Sequence, residues 1–179
     1  DNDFSIFRLK LELAGNILNA TSDLIGLDKN ENGEFEINSV AFSQYAKTEI
    51  DYIKLWNLGH KNVLAFRTFI GIALPLGNSS TIPFSESFFA GGSNDNRAWT
   101  AYNLGPGRSD NNNEFNEANF KIAFSLEHRY NLFGKLNGAF FIDAGNIWNV
   151  LDDVEDPKAI FNSISSLKDI AIGSGFGLR

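Results

Sequence analysis

Three side chains carry the chemistry that this sequence offers: Arg97, Glu127 and Asp143. Arg97 lies in the stretch FFAGGSNDNRAWTAYNLGPG, residues 88–107, between Gly91-Gly92 at one end and Gly105-Pro106-Gly107 at the other. Glycine pairs and Gly-Pro steps impose tight backbone geometry. A single Arg beside Trp99, between two such punctuated ends, reads as a positioned tip. Glu127 and Asp143 occupy the odd-numbered, polar side of two consecutive strand-like runs. A guanidinium pairs with carboxylates in a planar, bidentate manner that Lys cannot copy; both acids can point into the lumen of a barrel, and a long loop folded into that lumen can bring Arg97 between them. Arg67, on the polar side of an earlier run, is placed to join them. The competing reading is three unrelated solvated charges, whose exposed pairs contribute about 0–1 kcal/mol.

Other constellations are weaker. Asp28-Lys29-Asn30-Glu31-Asn32-Gly33 matches the first half of a calcium-loop pattern, but the twelfth position, where a bidentate Glu is needed, is Ser39. It reads as an acidic turn, and no metal site is expected. His60 and His128 are far apart in sequence, one in a turn and one on an apolar strand face. Asp152-Asp153 reads as loop solvation. No nucleophile elbow or phosphate-cradling loop is present. Catalytic residues and cofactors are therefore expected to be none, and the chain is read as not an enzyme.

The elements that must hold these residues alternate with period two. Six stretches do so: 4–14, 43–56, 63–74, 118–132, 136–148 and 167–179. In the first, Phe7, Leu9, Leu11 and Leu13 oppose Arg8, Lys10 and Glu12. In the fourth, Phe120, Ile122, Phe124 and Leu126 oppose Lys121, Ser125 and Glu127. Alternation of this kind predicts strands with one apolar face. Short turns are predicted at Gly59-His60-Lys61-Asn62 and Phe133-Gly134-Lys135. The other connections, roughly 17–42, 75–117 and 149–166, are long and polar. Short turns at one end and long loops at the other are the pattern of an outer-membrane barrel. Aromatics near the ends of the apolar faces (Tyr52, Trp56, Tyr130, Trp148) fit interface girdles. The same alternation also suits a soluble β-sandwich or lipocalin-like barrel, with the apolar face as core.

The chain has 179 residues and a net charge of -7, which argues against a nucleic-acid partner. With no Cys, disulfides and thiolate chemistry are ruled out. The chain has no Met and starts at Asp1, and reads as an internal or processed piece. No apolar run approaches the length of a membrane helix.

The loop stretch resembles the sixth extracellular loop of the BamA/TamA family of outer-membrane assembly barrels, within the bacterial surface antigen superfamily of Gram-negative bacteria. That family's loop tip reads Val-Arg-Gly-Phe/Tyr; the matching positions here are Asn96, Arg97, Ala98 and Trp99, so the Arg and an aromatic are kept. Gly91, Gly92 and the trailing Gly105, Pro106 and Gly107 look like the Bacteroidetes-type branch. FSLEHRY (124–130), FFIDAGNIW (140–148) and GSGFGLR (173–179) resemble the family's strands twelve, thirteen and fourteen. The resemblance implies a loop-to-wall lock of Arg97 onto Glu127 and Asp143.

These readings combine into a set of expectations. The fold class is all-β, an antiparallel portion of a transmembrane barrel resembling strands nine to fourteen of sixteen. Residues 1–179 form one partial C-terminal barrel domain, with no second domain. As the resemblance implies, the function is insertion or export of proteins at the cell outer membrane. The implied partners are membrane lipids, client outer-membrane proteins, and accessory lipoproteins or periplasmic subunits. The alternatives are a passive outer-membrane channel and a soluble β-sandwich or lipocalin-like binding module.

Overall fold

The computed structural model describes residues 3–109, 115–151 and 154–178. Asp152-Asp153 and Arg179 lie outside the described residues. Each alternating stretch forms a strand: β1 (Phe4–Ala14), then, after two short strands β2 (Glu36–Ile37) and β3 (Val40–Ala41), β4 (Tyr45–Gly59), β5 (Asn62–Pro75), β6 (Phe120–Phe133), β7 (Leu136–Trp148) and β8 (Ala171–Leu178). The six long strands form one antiparallel meander in the order β1-β4-β5-β6-β7-β8. The β4–β5 turn places His60 and Lys61 at positive φ, and the β6–β7 turn does so at Gly134. Such turns match the twist of the strands they join. The first long connection is more ordered than a polar loop: it contains helix α1 (Asn16–Ile25) and the β2–β3 hairpin.

Register fixes which side chains share a face. Leu9, Ile50, Ile70 and Ile122 lie opposite one another across four strands. One residue along, Lys10 faces Glu49, and Glu12 faces Lys47. The sheet therefore has one apolar and one polar face. The core sits on the polar face, where the 88–107 loop folds over it. Ala73, Phe88, Ala90, Leu104, Ala118 and Ile147 form the buried cluster. Gly71 makes room for it, since a Cβ there would stand 2.6 Å from the Phe88 ring. The apolar face is open: Phe7, Leu9, Leu11 and Leu13 of β1 and Ile172, Phe176 and Leu178 of β8 are all exposed, Leu11 at 69%.

The expected portion of a transmembrane barrel is corrected here. β8 pairs only with β7, and β1 only with β4; nothing among the described residues joins the two edges. The sheet is open. Alternation is a local property shared by any sheet with unlike faces, whereas closure needs a consistent strand number, tilt and stagger. The placement in the cell outer membrane, expected from the turn and loop pattern and the family resemblance, is corrected with the barrel, since the described residues show no barrel-closing feature. No helix among the described residues is long and apolar enough to cross a membrane. The aromatic-girdle reading also changes. Trp148 is fully buried, packed against Phe120 and Phe161.

Candidate functional site

The site is built where the loop tip meets β6 and β7. Along β6, Ser125 and Glu127 fall on the polar face by parity, and along β7 so do Phe141 and Asp143, with Ser125 directly opposite Asp143 and Glu127 opposite Phe141. The loop is pinned at both ends. Phe88 bridges Ala118, Ala90 bridges Leu104, and the Gly107 N–H donates to the Ile147 carbonyl at 2.7 Å. Gly91 and Gly92 hold positive φ, and the Gly91 N–H donates to Asp95 Oδ2 at 2.8 Å. Gly105 also has positive φ, and a Cβ there would stand 2.4 Å from Asn146 Oδ1. The Gly105-Pro106 bond is cis, and the Pro106 carbonyl accepts from the Ser109 N–H and hydroxyl.

This anchoring delivers Arg97 onto Asp143 and Glu127. The Arg97 Nε and Nη2 each donate to Asp143, at 2.8 Å to Oδ2 and 2.8 Å to Oδ1, and the Arg97 backbone N–H adds a third bond at 3.1 Å. Nη1 donates to Glu127, and Nη2 also reaches Ser125 Oγ at 3.1 Å. Ser125 donates to Asp143 at 2.8 Å, and Arg129 holds the other oxygen of Glu127 at 2.6 Å. The guanidinium lies 3.6 Å from the centre of the Phe141 ring. Asp143 is 0% exposed and Glu127 6%. Burial works to raise both carboxyl pKa values. For Asp143 the hydrogen bonds from Arg97 and Ser125 outweigh it, and for Glu127 those from Arg129 and Arg97 do, so both are lowered. The Arg97 pKa is raised, chiefly by its hydrogen bonds to Asp143.

The neighbouring loop positions pack closely. Asn96 is buried and donates to the carbonyls of Gly145 and Ala171 at 3.3 and 3.4 Å, tying the tip to β7 and β8. Ala98 and Trp99 sit over Gly173, where a Cβ would meet that of Ala98 at 2.6 Å. The Trp99 carbonyl accepts from Gly92 at 2.8 Å. Arg67 does not join the trio: it pairs with Asp51 at 2.9 Å and reaches the Asn94 carbonyl at 3.4 Å. The supporting roles of Ser125, Phe141, Arg129 and Lys121 escaped sequence reasoning, though their odd numbering put them on the right face.

Beside this network the loop roofs a cavity of about 440 Å³ against β5 and β6. Phe69, Phe88, Phe89, Ala101 and Ala123 supply apolar lining, and Arg67, Asp95 and Lys121 supply charge. Lys121 is held by the Phe89 carbonyl at 2.6 Å and Asp95 at 3.0 Å. The calcium-like segment is a hairpin turn, in which Asn30 Oδ1 accepts from the N–H groups of Asn32 and Glu34. No group of three or more potential metal ligands occurs among the described residues.

The Omp85 superfamily domain model matches residues 25–179. No curated protein matches the chain. The narrower reading of a C-terminal barrel fragment of the BamA/TamA assembly type is corrected by the open sheet, and so is the function of inserting or exporting proteins through a membrane-embedded barrel. With the match covering all but the first 24 residues, the chain belongs to the Omp85 superfamily.

Proposed function

We propose that this chain is a non-enzymatic binding module that holds a small ligand between the polar face of its sheet and the arginine-anchored loop. The observation that carries this reading is the cavity of about 440 Å³ roofed by residues 87–95 and floored by β5 and β6. Its size falls in the range of small-molecule sites, and its makeup suits one: apolar walls with a few placed charges. The Arg97 network serves the cavity by holding the roof at a set height. The arrangement is lipocalin-like in one respect, that strands and a loop line the space.

Calorimetric titration of the whole chain with small aromatic and aliphatic compounds tests this, with Ala123→Leu as the comparison. Ala123 lines the cavity and stands between Phe69 and Gly145 on the neighbouring strands. A larger side chain there fills the space. Binding to the wild type that Ala123→Leu abolishes supports the reading. No binding by any compound, or equal binding by the variant, overturns it.

A further inference from the structure

The cavity's charges are not equivalent. Lys121 is already occupied by Asp95 and the Phe89 carbonyl at short distances. Arg67 is not saturated in the same way. Its Nε is committed to Asp51 at 2.9 Å, but its two terminal nitrogens make only long contacts, 3.4 Å to the Asn94 carbonyl and 3.4 Å to Asp51. Its side chain is 44% exposed and lines the cavity. A guanidinium has five N–H donors in a fixed fork, so Arg67 keeps well-directed donors for an incoming anion. The lining charges are Arg67, Lys121 and Asp95. With Asp51 and the Arg8 that shares it counted, three cations meet two carboxylates here, in a chain of net charge -7. Next to Arg67 stand three rings. Phe69 and Phe88 meet edge to face at 5.8 Å, and Phe89 stacks on Tyr102 at 4.2 Å.

We infer that the ligand is an amphipathic anion, an aromatic carboxylate whose ring lies among Phe69, Phe88 and Phe89 while its carboxylate takes the fork of Arg67. Aromatic walls favour a flat body by edge-to-face and offset contacts, and Arg favours a carboxylate by bidentate pairing. This inference rests on the binding-module reading and narrows it to one ligand class.

The test is calorimetric titration of the full chain with hydrocinnamate and with its neutral amide, hydrocinnamamide. Wild type, Arg67→Gln, Arg67→Lys and Ala123→Leu are compared, each checked for folding by circular dichroism. Hydrocinnamate is expected to bind about tenfold more tightly than the amide, the worth of a charge-assisted hydrogen bond. Arg67→Gln should erase that difference. Arg67→Lys, which keeps charge without the fork, should retain part of it, and it serves as the decisive variant if Arg67→Gln does not fold. Equal affinity for acid and amide, with both lost in Ala123→Leu, overturns the anion inference and leaves the cavity reading standing. If neither compound binds, this inference fails, and the cavity reading fails with it only where no compound of the wider set binds; if both bind Ala123→Leu as they bind wild type, both readings fail.

Discussion

Asp143 accepts three hydrogen bonds from one residue, Arg97: from Nε and Nη2 at 2.8 Å each and from the backbone N–H at 3.1 Å. Side chain and main chain of the loop tip are thus both referred to a single carboxylate that is closed to solvent. The contact fixes the position of the loop and the direction of the guanidinium together.

Removing Arg97 leaves Asp143 and Glu127 buried with fewer partners. Arg97→Ala is expected to destabilise the fold by about 3–5 kcal/mol, the cost of breaking a buried pair. Arg97→Lys should recover only part, because an ammonium cannot span both oxygens of Asp143 while reaching Glu127. Urea unfolding gives the numbers. An Arg97→Ala midpoint equal to wild type would show that the contact contributes nothing to stability.

Asn96 ties the tip to two strands at once, through the carbonyls of Gly145 and Ala171. In Asn96→Val the apolar bulk is kept and both bonds are lost. The expected cost is about 1–3 kcal/mol for the two buried hydrogen bonds lost. Limited trypsin digestion after Arg97 should accelerate in the same variant, since a loosened tip presents that bond to the protease. Unchanged digestion and unchanged unfolding would place the loop's anchoring elsewhere.

The glycines of β8 are not interchangeable. At Gly173 a Cβ would meet Ala98 at 2.6 Å, whereas at Gly177 it would meet nothing within 4 Å. Gly173→Ala is expected to cost about 1–3 kcal/mol through overpacking, and Gly177→Ala to stay within about 0.5 kcal/mol of wild type. Thermal unfolding of the two variants side by side decides it; equal melting temperatures would contradict the close seating of Ala98.

Stability should fall at both ends of the pH scale, for different residues. The carboxyl pKa values of Asp143 and Glu127 lie below their ordinary values of 3.8 and 4.5 in the folded chain. Their contribution is complete above those ordinary values and is lost as pH falls through the lowered ones. Asp143→Asn should flatten that acid limb. At the other end, the hydrogen bond from Tyr45 to Glu12, with burial assisting, pushes the phenol up to about 12 from 10.0. A raised phenol stabilises below its ordinary value, and that stability is lost as pH rises through about 12. Tyr45→Phe should remove this alkaline slope, and phenolate absorbance locates the titration. Unfolding curves of the two variants that parallel wild type across the whole range would refute the assignment.

Much of the local structure was legible in the residues themselves. Period-two alternation located all six long strands, because a sheet with unlike faces imposes that period on every strand it contains. The same parity put Glu127 and Asp143 on one face, and the flanking glycines marked the ends of the loop that carries Arg97. Helix α1 lies within a connection expected to be loop, although Ile17, Leu18, Leu24 and Ile25 recur at helical spacing; in the fold Ile17 and Leu24 stay exposed. Only the tertiary structure decided the rest. It left the sheet open, because closure depends on strand tilt and stagger that alternation does not encode. It put the core on the polar face, because the covering loop brings Phe88, Ala90 and Leu104 to that side. It gave Arg67 to Asp51 and not to the Arg97 network, and it slid Phe141 beneath the guanidinium. These are distances between groups far apart in the chain, and they follow from where the loop comes to rest on the sheet.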